Sequence, residues 1–387
     1  FKAINDTVEN VSYKVDTTVL KDYILGDTLN MLATDYIDAR VKTNLENNIL
    51  TVPANGQAIF EVTVDISGDE TIYKNMFVEG FVTLEDTEDT HPDLSVPFVG
   101  FYGDWTEPKV LDNMLSIDEE DTSYFKYSGM LHATPEGKLD FYDSPIFMNP
   151  GEISGELMGT DHVIPLLSFM RNAKEVNYNI LSKDGKHLRT VYSEKYARKN
   201  YINGGRRNPF SFKTNAEWDG TVKGRVLADG DYFYEIASKV DYPGAEFQSK
   251  KIPVTIDTTG PEIADLAYDP ETGTLSWKAE DEGSGLLAFF FAINGEELEV
   301  DPLLAEEGKT EYEFNIGEYI GDMGEFEITL IAADNLLNIS DDTISYLAGD
   351  NENPFIYIYE PMLLEAYDES DVLFEGYVGN FHALDKV

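Results

Sequence analysis

Between residues 257 and 347 the chain repeats one pattern: short runs in which polar and apolar residues alternate, each closed by Gly, Asp, Asn or Pro. A period of two puts one set of side chains on one face, which is the signature of a half-buried strand. The stretch opens on the turn-rich boundary Asp257-Thr258-Thr259-Gly260-Pro261. The run 274–279 follows, with Leu275, Trp277 and Ala279 in phase, so Trp277 is expected to face a core. Next come the acidic turn Asp281-Glu282-Gly283-Ser284-Gly285 and the apolar run 289–293. Asn294-Gly295 marks a tight hairpin, because both residues tolerate the positive φ that such a turn needs. The stretch ends on 326–334. Strands at this spacing predict a β-sandwich.

The same grammar extends to the whole chain and predicts an all-β protein of tandem fibronectin-III/immunoglobulin-like sandwiches. A length of 387 residues admits two to four domains. We divide it into 1–117, 118–256, 257–347 and 348–387, the last being a partial further domain or a pair of docked strands. In the first segment Val11, Tyr13 and Val15 share a face, and 59–66 alternates over its whole length as one strand. The run 77–84 is another strand, with Gly80 marking a bulge or a close backbone approach. The apolar run 94–101 predicts a buried strand. In the second segment, 176–181 and 187–192 flank Lys183-Asp184-Gly185-Lys186 as a hairpin, and 232–238 is a strand entered through a tight turn. Residues 20–37 and 161–173 are mixed in character, and each has room for a turn of helix.

Composition excludes several classes. Seventy-three acids against 28 cations give a net charge of −45. General nucleic-acid binding requires the opposite balance, because phosphate neutralisation supplies its affinity. An anionic membrane surface is disfavoured for the same reason. Such charge favours a soluble monomer. Disorder is rejected because 42% of the residues are hydrophobic, with 23 Tyr and 22 Phe to fill cores. Cysteine is absent, so there is neither a disulfide framework nor a thiolate metal site. No apolar run approaches the ~18 residues of a membrane span. The chain opens on Phe1 without a methionine or a signal peptide, as an excised segment of a longer chain would.

Charge is also unevenly spread. Sixteen of the 28 cations lie within 171–251, and after Lys251 only Lys278, Lys309 and Lys386 remain. A shift of this kind argues for distinct domains.

Catalytic signatures are missing. His91, His132, His162, His187 and His382 stand in no recognisable nucleophile or metal context. There is no Gly-x-Ser-x-Gly elbow, phosphate-binding loop, dinucleotide fingerprint or His-Glu-x-x-His. With 73 acids, chance carboxylate pairs are inevitable, and nothing singles one out. The segment is therefore expected not to be an enzyme.

Two turns carry metal-ligating residue types. Asp281 and Glu282 precede a Gly-rich turn, and Asp334 ends a later strand. Turns at one pole of a sandwich can meet, and hard cations take several oxygens at short range. Asp281, Glu282 and Asp334 are therefore calcium candidates, although no cofactor is required. The competing reading is that these acids cap their own turns. The three tryptophans, Trp105, Trp218 and Trp277, offer either core packing or a sugar-stacking platform. Lys195, Arg198, Lys199, Arg206 and Arg207, around Tyr201 and Gly204-Gly205, offer either a site for an anionic wall polymer or a loop facing an acidic neighbour or solvent.

Three motifs, in order, carry a family resemblance: Leu50-Thr51-Val52-Pro53-Ala54-Asn55-Gly56, Val78-Glu79-Gly80-Phe81-Val82, and Val96-Pro97-Phe98-Val99-Gly100-Phe101-Tyr102-Gly103-Asp104-Trp105. Segment 1–117 resembles the fibronectin-III-like domain that follows the catalytic domain in subtilisin-type cell-envelope proteinases of Gram-positive bacteria, the lactocepin and streptococcal C5a-peptidase type. Trp218-Asp219-Gly220 with Asp229-Gly230-Asp231-Tyr232 is similar to their second such domain, and the Asp281 and Asp334 pattern to their third. The resemblance implies a non-catalytic tail of a secreted or wall-associated serine endopeptidase, acting as scaffold or spacer and in substrate access. Its partners would be an upstream catalytic domain in the same chain, and a protein substrate or cell-wall polymer. The family's Gly-Thr-Ser nucleophile motif is missing here, so no catalytic residue carries over. The alternative is a cell-surface adhesin or carbohydrate-binding tandem.

Overall fold

The computed structural model describes residues 1–25, 28–36, 40–115, 117–118, 123–134, 138–143, 145–150, 159–201, 208–321, 323–347, 355–360 and 375–379. The protein is all-β. Its described helical turns are short: Glu46–Asn48, Thr214–Ala216 and Gly317–Ile320. None of its described helices is long and apolar enough to cross a membrane. The chain divides into one unit of residues 1–109 with 240–246, and a second of 110–239 with 247–387.

In the first unit the main sheet runs Thr28–Tyr36, Val11–Leu25, Met76–Asp86, Leu94–Tyr102, and Ile49–Val52 also pairs with Val11–Leu25. Val11, Tyr13 and Val15 all point inward and meet Leu50, Val52, Phe60, Val82 and Leu84. Gly80 lies opposite Val19 in an unbroken register. A Cβ there would stand 1.9 Å from the Thr18 carbonyl and 2.9 Å from the Phe98 ring, so the position is a close approach rather than a bulge.

Four expectations are corrected here. The alternation over 59–66 is not one strand. Gly56–Ile59 pairs with Lys2–Asn5, whereas Val62–Asp65 pairs with Arg40–Thr43. The chain changes partner at Phe60, which is buried while Ile59 is 68% exposed. Leu94–Tyr102 is not buried, because it is the end strand of its sheet; Val99 is 67% exposed, and Phe98 alone of the strand packs against the core clusters. Apolar composition does not distinguish a central strand from an edge strand. Residues 20–37 contain no described helix: Val11–Leu25 and Thr28–Tyr36 pair antiparallel, with Leu20 opposite Tyr36. Residues 161–173 contain none either. Ile164–Leu167 lies between Gly129–Ala133 and Ser211–Phe212, so sheet pairing overrides a weak local preference.

The second unit begins with a four-stranded sheet, Leu139–Phe141, Gly129–Ala133, Ile164–Leu167 and Ser211–Phe212. A five-stranded sheet accompanies it: Ile146–Met148, Gln248–Ile256, Gly230–Lys239, Ala173–Ser182 and His187–Ala197. The turn at 183–186 closes as a hairpin, with the Ser182 N–H donating to the Lys186 carbonyl at 2.9 Å. Tyr234, fully buried, donates its hydroxyl to the Ala216 carbonyl at 2.5 Å and so ties the five-stranded sheet to the turn beyond Ser211–Phe212.

Within the same unit, Glu262–Asp269, Thr274–Glu280 and Glu311–Asn315 form one sheet, and Glu296–Glu297, Leu286–Ile293, Glu325–Asp334 and Ile339–Leu347 another. They close on a shared core of Leu275, Trp277, Phe289, Phe291, Ile328 and Leu330. The hairpin at Asn294-Gly295 has positive φ at both residues, 52° and 78°. Phe355–Glu360 pairs antiparallel with Glu375–Gly379.

Candidate metal centre

Three aspartates in the second unit stand at strand ends. Asp257 is one residue beyond Gln248–Ile256, a strand that runs parallel to Ile146–Met148. Its N–H donates to the Met148 carbonyl at 2.9 Å, so the sheet pairing itself fixes where the carboxylate starts. Asp281 directly follows Thr274–Glu280, and Asp334 is the last residue of Glu325–Asp334. The two turns that carry Asp281 and Asp334 are stitched together. The Asn335 N–H donates to the Gly285 carbonyl, and its side-chain amide donates to the carbonyls of Ser284 and Gly285, each at 2.9 Å.

One carboxylate oxygen from each aspartate lies within 4.8 Å of the other two. Asp334 is fully buried, Asp257 is 3% exposed and Asp281 is half-buried. Each is held by main-chain donors. Asp281 Oδ1 accepts from the N–H groups of Gly283 (3.1 Å) and Gly285 (2.6 Å). Asp257 Oδ2 accepts from the Ser284 N–H at 2.7 Å. Asp334 Oδ1 accepts from the N–H groups of Leu336 and Asn338, both at 2.8 Å, and its Oδ2 from the Asn338 amide at 2.7 Å. Gly283 is required by this arrangement, since a Cβ at that position would stand 2.3 Å from the Asp257 carboxylate.

These bonds do not remove the repulsion among the three charges. At an effective dielectric of ~20, two carboxylates at this range repel by about 3 kcal/mol or more. Among the described residues no lysine or arginine forms a salt bridge with them: Lys278 pairs with Asp265 and Glu311, and Lys309 with Glu306. Burial, with Asp257 adding to it, pushes Asp334 up to about 6. Burial also raises Asp281, and the charges of Asp257 and Asp229 push the same way. A buried carboxylate trio of this kind is relieved by a proton or by a cation. The donor set is all oxygen, with no imidazole or thiolate among the three, which suits a hard cation such as Ca²⁺ rather than zinc.

The structure thus places Asp281 and Asp334 together. Glu282 is exposed and lies outside the trio. Asp257 is absent from the sequence candidates, because by local pattern it belongs to a domain-boundary turn. The available signal was an aspartate directly after a strand and ahead of a Thr-Thr-Gly-Pro turn. Asn338 was missed as well. Its amide donates to Asp334 and also to the Asp257 carbonyl at 3.2 Å.

The described histidines and the tryptophans are accounted for locally. His91 sits 3.6 Å from Asp86, a carboxylate that main-chain N–H donors, His91's first, hold at about 2. His162 bonds Asp161 at 2.6 Å, His132 contacts the Ala133 carbonyl at 3.1 Å, and His187 contacts Thr190 at 3.0 Å. His382 lies outside the described residues. Trp218 and Trp277 are buried, at 0% and 2% exposure, so neither offers a platform for sugar. Trp105 packs edge-on against Phe77 and Phe101.

Residues 1–99 match the family described as "Fn3-like domain". The chain is 25% identical over 264 residues to a PII-type proteinase of Lactococcus lactis subsp. cremoris, an alignment covering 61% of this chain and 13% of that protein. It is 22% identical over 290 residues to a C5a peptidase of Streptococcus pyogenes serotype M1, covering 56% of this chain and 24% of that protein. The chain therefore spans less than a quarter of the length of these relatives. Among solved structures, a tetra-tandem repeat in the extending region of a large adhesion protein matches over 92% of this chain and 70% of its own, at 12% identity and a TM-score of 0.26.

Proposed function

We propose, from the premise that residues 1–99 form an Fn3-like domain in a chain whose relatives are proteinases, that this chain is a non-catalytic β-sandwich region of a subtilisin-type serine endopeptidase. The reading rests on that conjunction: the Fn3-like match and the proteinase relatives fall on the same chain. Its role is scaffold and spacer. The sandwiches hold and orient a catalytic domain carried upstream in the same polypeptide, at or beyond the cell surface, and border the path of a protein substrate. An adhesive or carbohydrate-binding tandem is the weaker reading, since Trp218 and Trp277 are consumed by packing.

Calcium bound at Asp257, Asp281 and Asp334 stiffens the second unit. Supporting this is the position of the trio: Asp257 extends the sheet of Gln248–Ile256, whereas Asp281 and Asp334 belong to the following sandwich. One ion there clamps two successive sandwiches at their connection, which is what a spacer requires.

Two measurements test the proposal. A fluorophosphonate serine-hydrolase probe is expected to leave the chain unlabelled, and labelling at any serine would refute the non-catalytic role. The gene is expected to encode a subtilisin-like domain ahead of Phe1, and an unrelated domain there would overturn the protease assignment.

A further inference from the structure

The end of the strand His187–Ala197 carries charge of the sign this chain otherwise lacks. The described residues of 195–213 include four cations, Lys195, Arg198, Lys199 and Lys213, and no acid, in a protein with 73 acids. The described part of this stretch borders a cleft of about 510 Å³ lined by Lys195, Tyr196, Arg198, Lys199, Asn200 and Asn208 among others. Arg206 and Arg207 lie outside the described residues.

The local backbone explains how three cations reach one opening. Strand alternation would send every second side chain inward. Tyr196 breaks it with a φ of 56°, in the left-handed region that costs a non-glycine residue about 1 kcal/mol or more. Lys195 and Tyr196 are consequently both exposed, Ala197 turns in, and Arg198 and Lys199, beyond the strand end, are exposed as well. The segment is anchored. The Lys199 N–H donates to Asn172 Oδ1 at 2.9 Å, and the Asn200 N–H donates to the Phe169 carbonyl at 2.7 Å. The Phe169 N–H returns a bond to Asn200 Oδ1 at 2.8 Å.

The carboxylates nearby are already engaged. Glu194 is the only acid lining the cleft among the described residues. It is bound by Lys213 at 2.7 Å and accepts the Tyr178 hydroxyl at 2.7 Å. Glu175, opposite Lys195 in the strand pair, bridges to Lys239 at 3.5 Å and feels the Lys195 charge only as a lesser influence. Among the described residues Lys195, Arg198 and Lys199 form no salt bridge. Three exposed cations therefore share one opening in an otherwise strongly acidic chain. The net negative charge does not cancel them, because at physiological ionic strength screening confines their field to about 8 Å.

We propose that this cleft binds a linear polyanion that carries its charge as phosphate. Lys195 and Lys199 are at most ~14 Å apart along the backbone, so one extended polymer reaches all three cations. Arg198 supplies a planar fork suited to bidentate phosphate contact, and the lysines supply point charges beside it. The exposed Tyr196 ring offers a flat surface for the spacer between charges.

The test uses the full 387-residue chain and a fluorescently labelled short-chain polyphosphate, followed by anisotropy. Three phosphate contacts predict a log–log salt slope near −2, so affinity falls by about an order of magnitude between ~50 and ~200 mM salt. The variant Lys195→Glu/Arg198→Glu/Lys199→Glu is expected to lose binding at least ~10-fold, about 1.4 kcal/mol. The glutamine triple at the same positions guards against a folding artefact and should lose binding too. A control, Lys186→Glu/Lys223→Glu/Arg225→Glu, changes net charge equally at exposed positions elsewhere in the same sandwich and should bind like the parent. Equal loss in the control, absence of binding at low salt, or unchanged binding in the glutamine triple would overturn the proposal. Polyglutamate binding as tightly as polyphosphate would also overturn it, in favour of an acidic protein partner.

Discussion

Asn149 donates its side-chain amide to the side-chain oxygen of Asn338 across 189 positions of sequence, in a buried bond of 2.6 Å. Asn149 follows Ile146–Met148, the strand that ends beside Asp257, and Asn338 holds Asp334. One amide pair therefore links the sheet that delivers Asp257 to the turn that delivers Asp334.

Removing that link should loosen the connection without harming either core. Asn338→Ala strips the Asp334 carboxylate of its side-chain donor and leaves the Asn149 amide without its Asn338 acceptor. Buried polar groups deprived of a partner cost about 1–3 kcal/mol each. The expected result in scanning calorimetry is a lower midpoint for the second unit, with the transition of the first unit unmoved.

The pH dependence follows from Asp334, which burial pushes up to about 6. The unfolded carboxyl titrates near ~3.9. Between those values the folded chain keeps a proton that the unfolded chain has released, so stability falls as pH rises through this window. The full effect is about 3 kcal/mol. Asp281 shifts in the same direction and adds to it. Calcium competes with the same proton, so its stabilising increment should be largest above about pH 6 and fade below it. Melts in EDTA and in calcium on both sides of that pH check the sign, and a calcium increment that grows on acidification would contradict it.

Gly283→Ala tests the geometry of the trio. Its new methyl collides with the Asp257 carboxylate, displacing the oxygen needed for the cation. A loss of about 1–3 kcal/mol is expected from overpacking, together with loss of the calcium increment. Gly295→Ala, whose Cβ would have open space around it, should keep the increment. Calcium titrations of the two variants make the comparison.

Trp277→Ala probes the sandwich formed by Glu262–Asp269 through Ile339–Leu347 alone. The ring lies 5.1 Å from Phe289 and 5.7 Å from Phe291 and is 2% exposed. Truncating a buried tryptophan costs about 3–5 kcal/mol. Hydrogen exchange should accelerate across 274–334 while 1–99 keeps its protection.

Local pattern carried most of the fold. The inward phase of Trp277, the Asn294-Gly295 hairpin and the shared face of Val11, Tyr13 and Val15 each depend on residues close in sequence. What failed depends on partners far away. Val99 is exposed because Leu94–Tyr102 ends its sheet, and the run 59–66 splits because its halves pair with different strands. Two of the three aspartates of the candidate metal centre were legible for the same reason. Asp281 and Asp334 sit in conspicuous turns, but Asp257 joins them only through the parallel pairing with Ile146–Met148, which no local pattern announces.

The most direct measurement is a calorimetric titration of Ca²⁺ into the EDTA-stripped chain near neutral pH, paired with melting. One ion per chain is expected. A hundredfold excess over Kd should stabilise the chain by about 2.7 kcal/mol, a rise of several degrees in the second unit's midpoint. Both should be lost in Asp257→Asn/Asp334→Asn. No heat of binding and an unchanged midpoint would contradict it.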